Sequence, residues 1–160
     1  MGMIILSFPY AAGAEVGASE KANFEQERAK ALKNPFANDL GPDRIDVSAY
    51  PPNIKEGYEI LQVRCARCHS PARPLNSQFS KPDEWERYVK RMMRKPGSDI
   101  TGQEGRKIYE FLAYDSKIRK LDHPEAWRAH RKNLLEEFKK KYPARYDELY
   151  GESEKNGGLR

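Results

Sequence analysis

The sequence is poor in cysteine, histidine and methionine, and it lacks a long apolar run. Its 160 residues include 2 cysteines, 3 histidines and 4 methionines. The two cysteines stand three positions apart, so no disulfide framework is expected. The one apolar run, residues 3–14, is shorter than the roughly 20 residues that a membrane-spanning helix needs. We therefore expect no integral membrane span.

The same apolar run has the length of a signal-peptide core. Residues 12–14 (AGA) match the small-x-small pattern of a cleavage site, and residues 16–18 (VGA) offer a second match. The basic residues that normally precede such a core are missing, since the first lysine is Lys21. We interpret residues 1–14 as a signal peptide or its remnant and expect a periplasmic or otherwise extracytoplasmic protein. A buried N-terminal strand or helix is the alternative.

The alternating pattern of β-strands is also missing, as is any internal repeat. Apolar residues recur instead at helical spacing, as Trp85, Val89 and Met92 do at i, i+4 and i+7. Ser80 followed by Asp83 indicates the start of that helix. A capping box formed by Thr101 and Glu104 indicates the next one. Helical patterns cover approximately residues 20–33, 54–66, 80–95, 102–114 and 122–142. We predict an all-α fold.

The turn-rich stretch at residues 34–53 separates a short polar helix from a central domain. The predicted regions are the leader (1–14), an N-terminal helix and extended arm (15–53), the central domain (54–116), a C-terminal helical extension (117–150) and a disordered polar tail (151–160). Trp127, Phe138 and Tyr142 give the extension an apolar face. We expect this face to be buried against the central domain.

Residues 65–69 (CARCH) match C-x-x-C-H, the pattern of covalent attachment of a c-type haem. Two thiols on either side of a two-residue spacer can reach both vinyl groups of one porphyrin and form thioethers. The adjacent histidine is then held under the ring, where its imidazole can bind the iron. We therefore predict one haem c, covalently bound to Cys65 and Cys68, with His69 as the proximal iron ligand.

Two other uses of a C-x-x-C pair fit the sequence less well. A thioredoxin-like redox pair belongs to a βαβ context, which a helical chain does not offer. A zinc site needs four ligands, and the chain could supply them only as two cysteines and two histidines at irregular spacing. Haem attachment is the preferred interpretation.

The sixth iron ligand is less well determined by the sequence. Methionine is a common choice, but Met92 and Met93 lie on an apolar stripe where a methionine can also be core packing. The other two methionines fall in the predicted leader. His123 and His130 in the C-terminal extension are further candidates, and an open sixth site is the last alternative.

The haem motif and the helix after it resemble the monohaem class I c-type cytochromes. The resemblance is to a short subgroup with a helix of the form W-x-x-x-V-x-R-M, matched here by Trp85, Val89, Arg91 and Met92. It implies that Met92 is the distal iron ligand, with Met93 as the fallback. Met92 follows His69 by only 23 positions, a shorter spacing than in the larger members of the family.

The resemblance covers about residues 54–116. Gly57 and Leu61 match the glycine and the apolar residue that precede C-x-x-C-H on the first helix of the family. Ile108, Phe111 and Leu112 match its last helix. These two helices cross in the family, and a glycine at position 57 would permit their approach. The resemblance thus implies a small cytochrome c-like helical domain around one covalent haem.

By this resemblance the chain is expected to be a one-electron carrier and not an enzyme. The alternatives are a haem-bearing subunit of a larger oxidoreductase complex, and a haem sensor or peroxidase with an open sixth site. Arg64, Arg67 and Arg73 are candidates to pair with haem propionates or are simply exposed.

The net charge of +5 bears on the partners of the chain. A basic face could meet the acidic docking face of a redox protein partner, or it could be an ordinary solvated surface. Nucleic-acid binding is not expected, because no recognition motif accompanies the charge. None of these features sets the oligomeric state.

Overall fold

The computed structural model describes the backbone of residues 12–155 and the side chains of residues 19–152. All regular structure in this part of the chain is helical, which confirms the all-α prediction. The elements are α1 (Ala12–Lys33), a 3-10 helix (Ala37–Leu40), α2 (Pro52–Cys65), α3 (Ala72–Leu75), α4 (Pro82–Met93), α5 (Gly102–Ser116), a π-helical turn (Lys117–Leu121), α6 (Pro124–Lys141) and α7 (Pro143–Lys155). None of the helices described is long and apolar enough to cross a membrane.

The first and last helices extend beyond their predicted limits. α1 begins at Ala12 instead of near residue 20. α7 continues to Lys155, so the first residues of the predicted disordered tail are helical, in continuity with the turn that buries Tyr146. Residues 1–11 and 156–160, which hold most of the predicted leader and the end of the predicted tail, lie outside the described residues.

Helices α2, α4 and α5 enclose the larger of two apolar clusters. The inward face predicted for α5 is confirmed, since Ile108, Phe111 and Leu112 are all buried. On α4, Trp85 and Val89 are buried on one stripe, as their spacing predicts. The buried members of the cluster are Tyr50, Ile54, Tyr58, Leu61, Cys65, Leu75, Trp85, Tyr88, Val89, Ile108, Phe111 and Leu112.

Helices α2 and α5 cross in close contact at Gly57. A Cβ atom added there would meet the carbonyl oxygen of Lys107 and would lie 2.9 Å from the Cβ of Phe111. Any side chain at this position would force the two helices apart. The close crossing that the sequence predicts at Gly57 is therefore confirmed.

Capping groups define the starts of α5 and α4. Thr101 Oγ1 accepts a hydrogen bond from the Glu104 amide, and Glu104 Oε2 accepts one from the Thr101 amide, which confirms the predicted capping box. In α4 the capping carboxylate is Glu84, which accepts hydrogen bonds from the amides of Ser80 and Lys81. Asp83 was expected in this role, but it forms an ion pair with Arg87 along the helix.

The apolar face of the C-terminal extension packs on the N-terminal arm. It was expected to pack on the central domain. Phe138 is fully buried in a second cluster with Ala37, Leu135 and Tyr146, and Tyr142 packs against that cluster. Trp127 is only partly buried. The arm turns inward because Ala37 lies in a 3-10 helix that fits between α3 and α6. Ala37, Asn38 and Tyr50 of the arm are therefore buried, whereas residues 42–44 and 48–49 lie exposed on the surface.

Candidate functional site

A cavity of about 570 Å³ lies beside the end of α2. Cys65, Cys68 and His69 line one part of it, and Met92 on α4 lines another. Its volume falls within the roughly 300–1,000 Å³ that is usual for cofactor sites. The structure thus brings the four principal site residues predicted from the sequence to one space.

The end of α2 places both thiols and the imidazole on the cavity. Cys65 is the last residue of the helix and is buried. The amides of Cys68 and His69 both donate to the Cys65 carbonyl oxygen, at 3.4 and 3.3 Å. The chain therefore continues for one more turn after α2, and this turn keeps the second thiol and the imidazole close to the first thiol.

His69 has one ring nitrogen available for a ligand role. Its Nδ1 lies 3.0 Å from the carbonyl oxygen of Ser70. A carbonyl only accepts hydrogen bonds, so Nδ1 carries the proton and Nε2 keeps its lone pair. Burial lowers the pKa of His69, which favours the neutral imidazole that binds metals. The Ser70 carbonyl oxygen therefore fixes the tautomer of the imidazole.

The Cys65 thiol is buried, and the Cys68 thiol is partly buried. Burial raises the pKa of Cys65 to about 12, and it also raises the pKa of Cys68. Reactive redox cysteines have lowered pKa values, which the thioredoxin-like alternative would require. The zinc alternative would require several His, Cys, Asp or Glu side chains close together. Among the described residues, no group of three or more of these side chains could hold a metal ion.

The two adjacent methionines of α4 have different surroundings. Met92 is part of the cavity wall. Met93 packs on α5, where its Sδ would lie 2.5 Å from a Cβ atom added to Gly105. Only Met92, therefore, is placed to reach a ligand in the cavity, whereas Met93 fills the space left by a glycine.

The two histidines of the C-terminal part line a different cleft. His123 and His130 border an open space of about 530 Å³ that Tyr50 and Trp127 also border. His123 is the N-cap residue of α6. His130 Nε2 lies 3.0 Å from Asn76 Oδ1. Neither histidine lines the cavity that contains Cys65, so neither is placed to be a distal ligand there.

Two hydroxyl groups at the cavity have no hydrogen-bond partner among the described residues. They are Tyr88 Oη and Ser77 Oγ, and both residues are buried. Both residues line the cavity, and the sequence pattern did not single them out. Buried polar groups are nearly always paired, so these two hydroxyls are exceptions among the described residues.

The charged residues that line the cavity are predominantly basic. Its basic residues besides histidine are Lys30, Arg64, Arg73, Arg91, Lys95 and Arg145. Among the described residues, Glu27 is the one carboxylate in the lining. Arg91 lies over the ring of Tyr88, 5.5 Å from its centroid, and forms no ion pair with a described carboxylate. Arg64, Arg73, Lys95 and Arg145 are already paired with carboxylates of the chain, which leaves Lys30 and Arg91 to favour a ligand with carboxylate groups.

The three arginines proposed to meet propionates differ in position. Arg64 and Arg73 line the cavity, and each is also paired within the chain, with Glu104 and Asp39 respectively. Arg67 is not part of the lining. It pairs with Asp99 at 2.6 Å, and its guanidinium lies over the ring of Phe24.

Helix α1 supplies a wall of the cavity that the sequence did not predict. Glu27, Lys30 and Ala31 line the cavity. Phe24 fixes the helix by packing on Gly97, which adopts a positive φ of 65°. Arg73 donates to the carbonyl oxygen of Ala31 at 3.1 Å. Phe24, the single aromatic residue of this polar helix, was the sequence signal for this contact.

The chain was compared with protein-family models, with curated proteins and with solved structures, and it matches none of them. Its function is therefore inferred from the residues of the cavity themselves.

Proposed function

We propose that the chain is a monohaem c-type cytochrome that carries single electrons outside the cytoplasm. One observation carries the proposal: Cys65, Cys68, His69 and Met92 line the same cavity. Met92 is distant from the motif in sequence and is carried by another helix. A methionine that lines the same cavity as the attachment motif is what a haem with two protein ligands to its iron requires.

In this proposal each residue has a distinct role. Cys65 and Cys68 would hold the porphyrin through thioether bonds, and His69 Nε2 and Met92 Sδ would bind the iron. When bound, the haem would supply a reversible one-electron change of the iron. The chain holds the His69 imidazole in one tautomer through the Ser70 carbonyl, and α4 contributes Tyr88, Arg91 and Met92 to the cavity lining. Methionine opposite histidine favours a high reduction potential.

Three further observations support a haem as the occupant. The cavity volume suits a cofactor. The cationic lining matches the two carboxylates that a haem carries. The hydroxyls of Tyr88 and Ser77, which lack a partner among the described residues, favour an occupant with polar atoms. None of these observations depends on the C-x-x-C-H motif itself.

Absorption spectra of the purified protein test the proposal. The chain should be produced with a secretion leader in bacteria that attach c-type haem. We expect a denatured mass increased by one haem, and a weak far-red band in the oxidised form that is typical of methionine ligation. Met92→Ala should lose that band, and its reduced form should bind CO. The matched control, Met93→Ala, should keep the band because Met93 packs on Gly105.

Each of the possible results has a definite meaning. A protein without covalent haem would overturn the proposal. Rapid CO binding by the reduced wild-type protein would favour the alternative of a sensor or peroxidase with an open sixth site. If Met93→Ala, and not Met92→Ala, lost the far-red band, the distal ligand would be Met93.

A further inference from the structure

Three cationic side chains from the C-terminal part hold the backbone of residues 75–79. Lys120 Nζ donates to the carbonyl oxygens of Ser77 and Phe79, at 3.0 and 2.7 Å. Arg119 donates to the carbonyl oxygen of Leu75 at 2.8 Å. A fourth carbonyl in this segment, that of Asn76, accepts from Arg131 at 3.0 Å. We call residues 75–79 the wall loop.

Lys120 connects this wall loop to the helix that carries Met92. Its ammonium group is buried and lies 4.8 Å from the ring centroids of both Trp85 and Trp127. Trp85 belongs to α4, and its Nε1 donates to Ser116 Oγ at 2.8 Å. Ser116 Oγ in turn lies 3.4 Å from the Phe79 carbonyl oxygen. A single buried cation thus contacts both the wall loop and α4.

The wall loop is part of the candidate haem site. Ser77 and Phe79 line the cavity, and the loop joins the segment of His69 to the helix of Met92. A displacement of the loop would change the distance between the two axial positions and admit water to the cavity. Loops usually have low local stability because few contacts restrain them. This loop is instead restrained by charge-assisted hydrogen bonds, which are stronger than neutral ones.

We propose that Lys120 is a positioning residue that holds the distal side of the haem site through the Ser77 and Phe79 carbonyls and the Trp85 ring. The inference rests on the proposed haem function and assigns a role to the π-helical turn and the start of the C-terminal extension. π-helical turns are rare and occur frequently at functional sites. The turn begins directly after Ser116, and it directs Arg119 and Lys120 toward the wall loop.

The test compares holoprotein variants by ligand exchange and potential. Lys120→Met keeps an apolar stem but removes both hydrogen bonds and the charge. The reduced Lys120→Met protein should bind CO roughly tenfold faster than the wild type. A factor of ten corresponds to a barrier to CO binding that is lower by about 1.4 kcal/mol. Its reduction potential should also fall, because water and the loss of a nearby cation both favour the ferric state. The matched control is Lys132→Met, which removes an exposed lysine of α6.

A milder variant keeps the test decisive if Lys120→Met does not fold. Ser116→Ala removes one hydroxyl that bridges Trp85 Nε1 and the Phe79 carbonyl. It should change CO binding and potential in the same direction by a smaller factor. Wild-type kinetics and potential in the folded variants of Lys120 and Ser116 would refute the positioning role, as would equal changes in Lys132→Met. Absence of covalent haem from the wild type would instead refute the proposed function.

Discussion

The hydroxyl group of Tyr88 is buried away from solvent and has no hydrogen-bond partner among the described residues. Tyr88 is 7% exposed and lines the cavity. Burial raises the pKa of this phenol, so it stays protonated and can act as a donor. An unpaired buried donor costs roughly 1–3 kcal/mol of folding free energy. Such a cost is avoided if a polar atom of the bound haem accepts the hydrogen bond.

This argument predicts the effect of Tyr88→Phe on the haem-loaded protein. If the hydroxyl bonds to the haem or to a ligand, its removal should lower the stability by roughly 0.5–1.5 kcal/mol and shift the reduction potential. Thermal unfolding and potentiometry measure the two effects. The control is Tyr109→Phe, because Tyr109 is partly buried against the same cluster but does not line the cavity. Equal or higher stability of Tyr88→Phe would show that the hydroxyl has no partner in the holoprotein.

At the scale of elements, the α2–α5 crossing holds α2, whose last residue is Cys65, against the core. Gly57→Ala should destabilise the protein by roughly 1–3 kcal/mol through overpacking, although alanine is about 1 kcal/mol more favourable than glycine within a helix. The added Cβ would meet the Lys107 carbonyl oxygen. Chemical denaturation of both proteins measures the difference.

The chain contains a suitable control for that substitution. Gly102 is the first residue of α5, and a Cβ atom added there would have no heavy atom within 4 Å. Gly102→Ala should therefore be neutral or slightly stabilising. If Gly57→Ala were as stable as Gly102→Ala, the two helices would not be held by the contact at Gly57.

The elements that the sequence predicted well are those with an apolar stripe or a capping box. α4 and α5 both have an apolar stripe. Trp85 and Val89 of α4 and Ile108, Phe111 and Leu112 of α5 are buried as predicted, whereas the burial of Tyr88 was not predicted. α1 has no such stripe, and its contacts depend on Phe24 and on Arg73 from a distant segment. The π-helical turn likewise depends on bonds from Lys120 to the wall loop. Tertiary contacts of this kind leave no periodic pattern in the sequence, so they could not be predicted from it.

At the scale of the whole molecule, the motif predicted three site residues, but packing decides the fourth. Met92 and Met93 both fall on the stripe of α4, and their spacing alone does not separate them. The position of Gly105 on α5 does, because it receives the side chain of Met93. The cationic lining also required the fold, since it combines Lys30 of α1 with Arg145 of α7.

The same long-range packing creates a pH dependence of stability. Burial lowers the pKa of Lys120 from its ordinary 10.5 to about 7, with Arg119 and Arg131 acting in the same direction. Asp115 and Glu84 oppose the shift. Between these two pH values the unfolded chain binds more protons than the folded chain, so this group makes stability rise with pH.

We therefore expect the stability of the holoprotein, relative to Lys120→Met, to increase from pH 7 toward pH 10. The wall loop should stay in place over this range, because a neutral amine keeps two N–H donors and two carbonyls accept them. Thermal unfolding of both holoproteins at each pH measures the difference. Thioether-bound cysteines do not titrate, and other groups cancel in the comparison. A difference that stayed constant or fell with pH would show that Lys120 keeps its proton when folded, held by Asp115 and the two tryptophan rings.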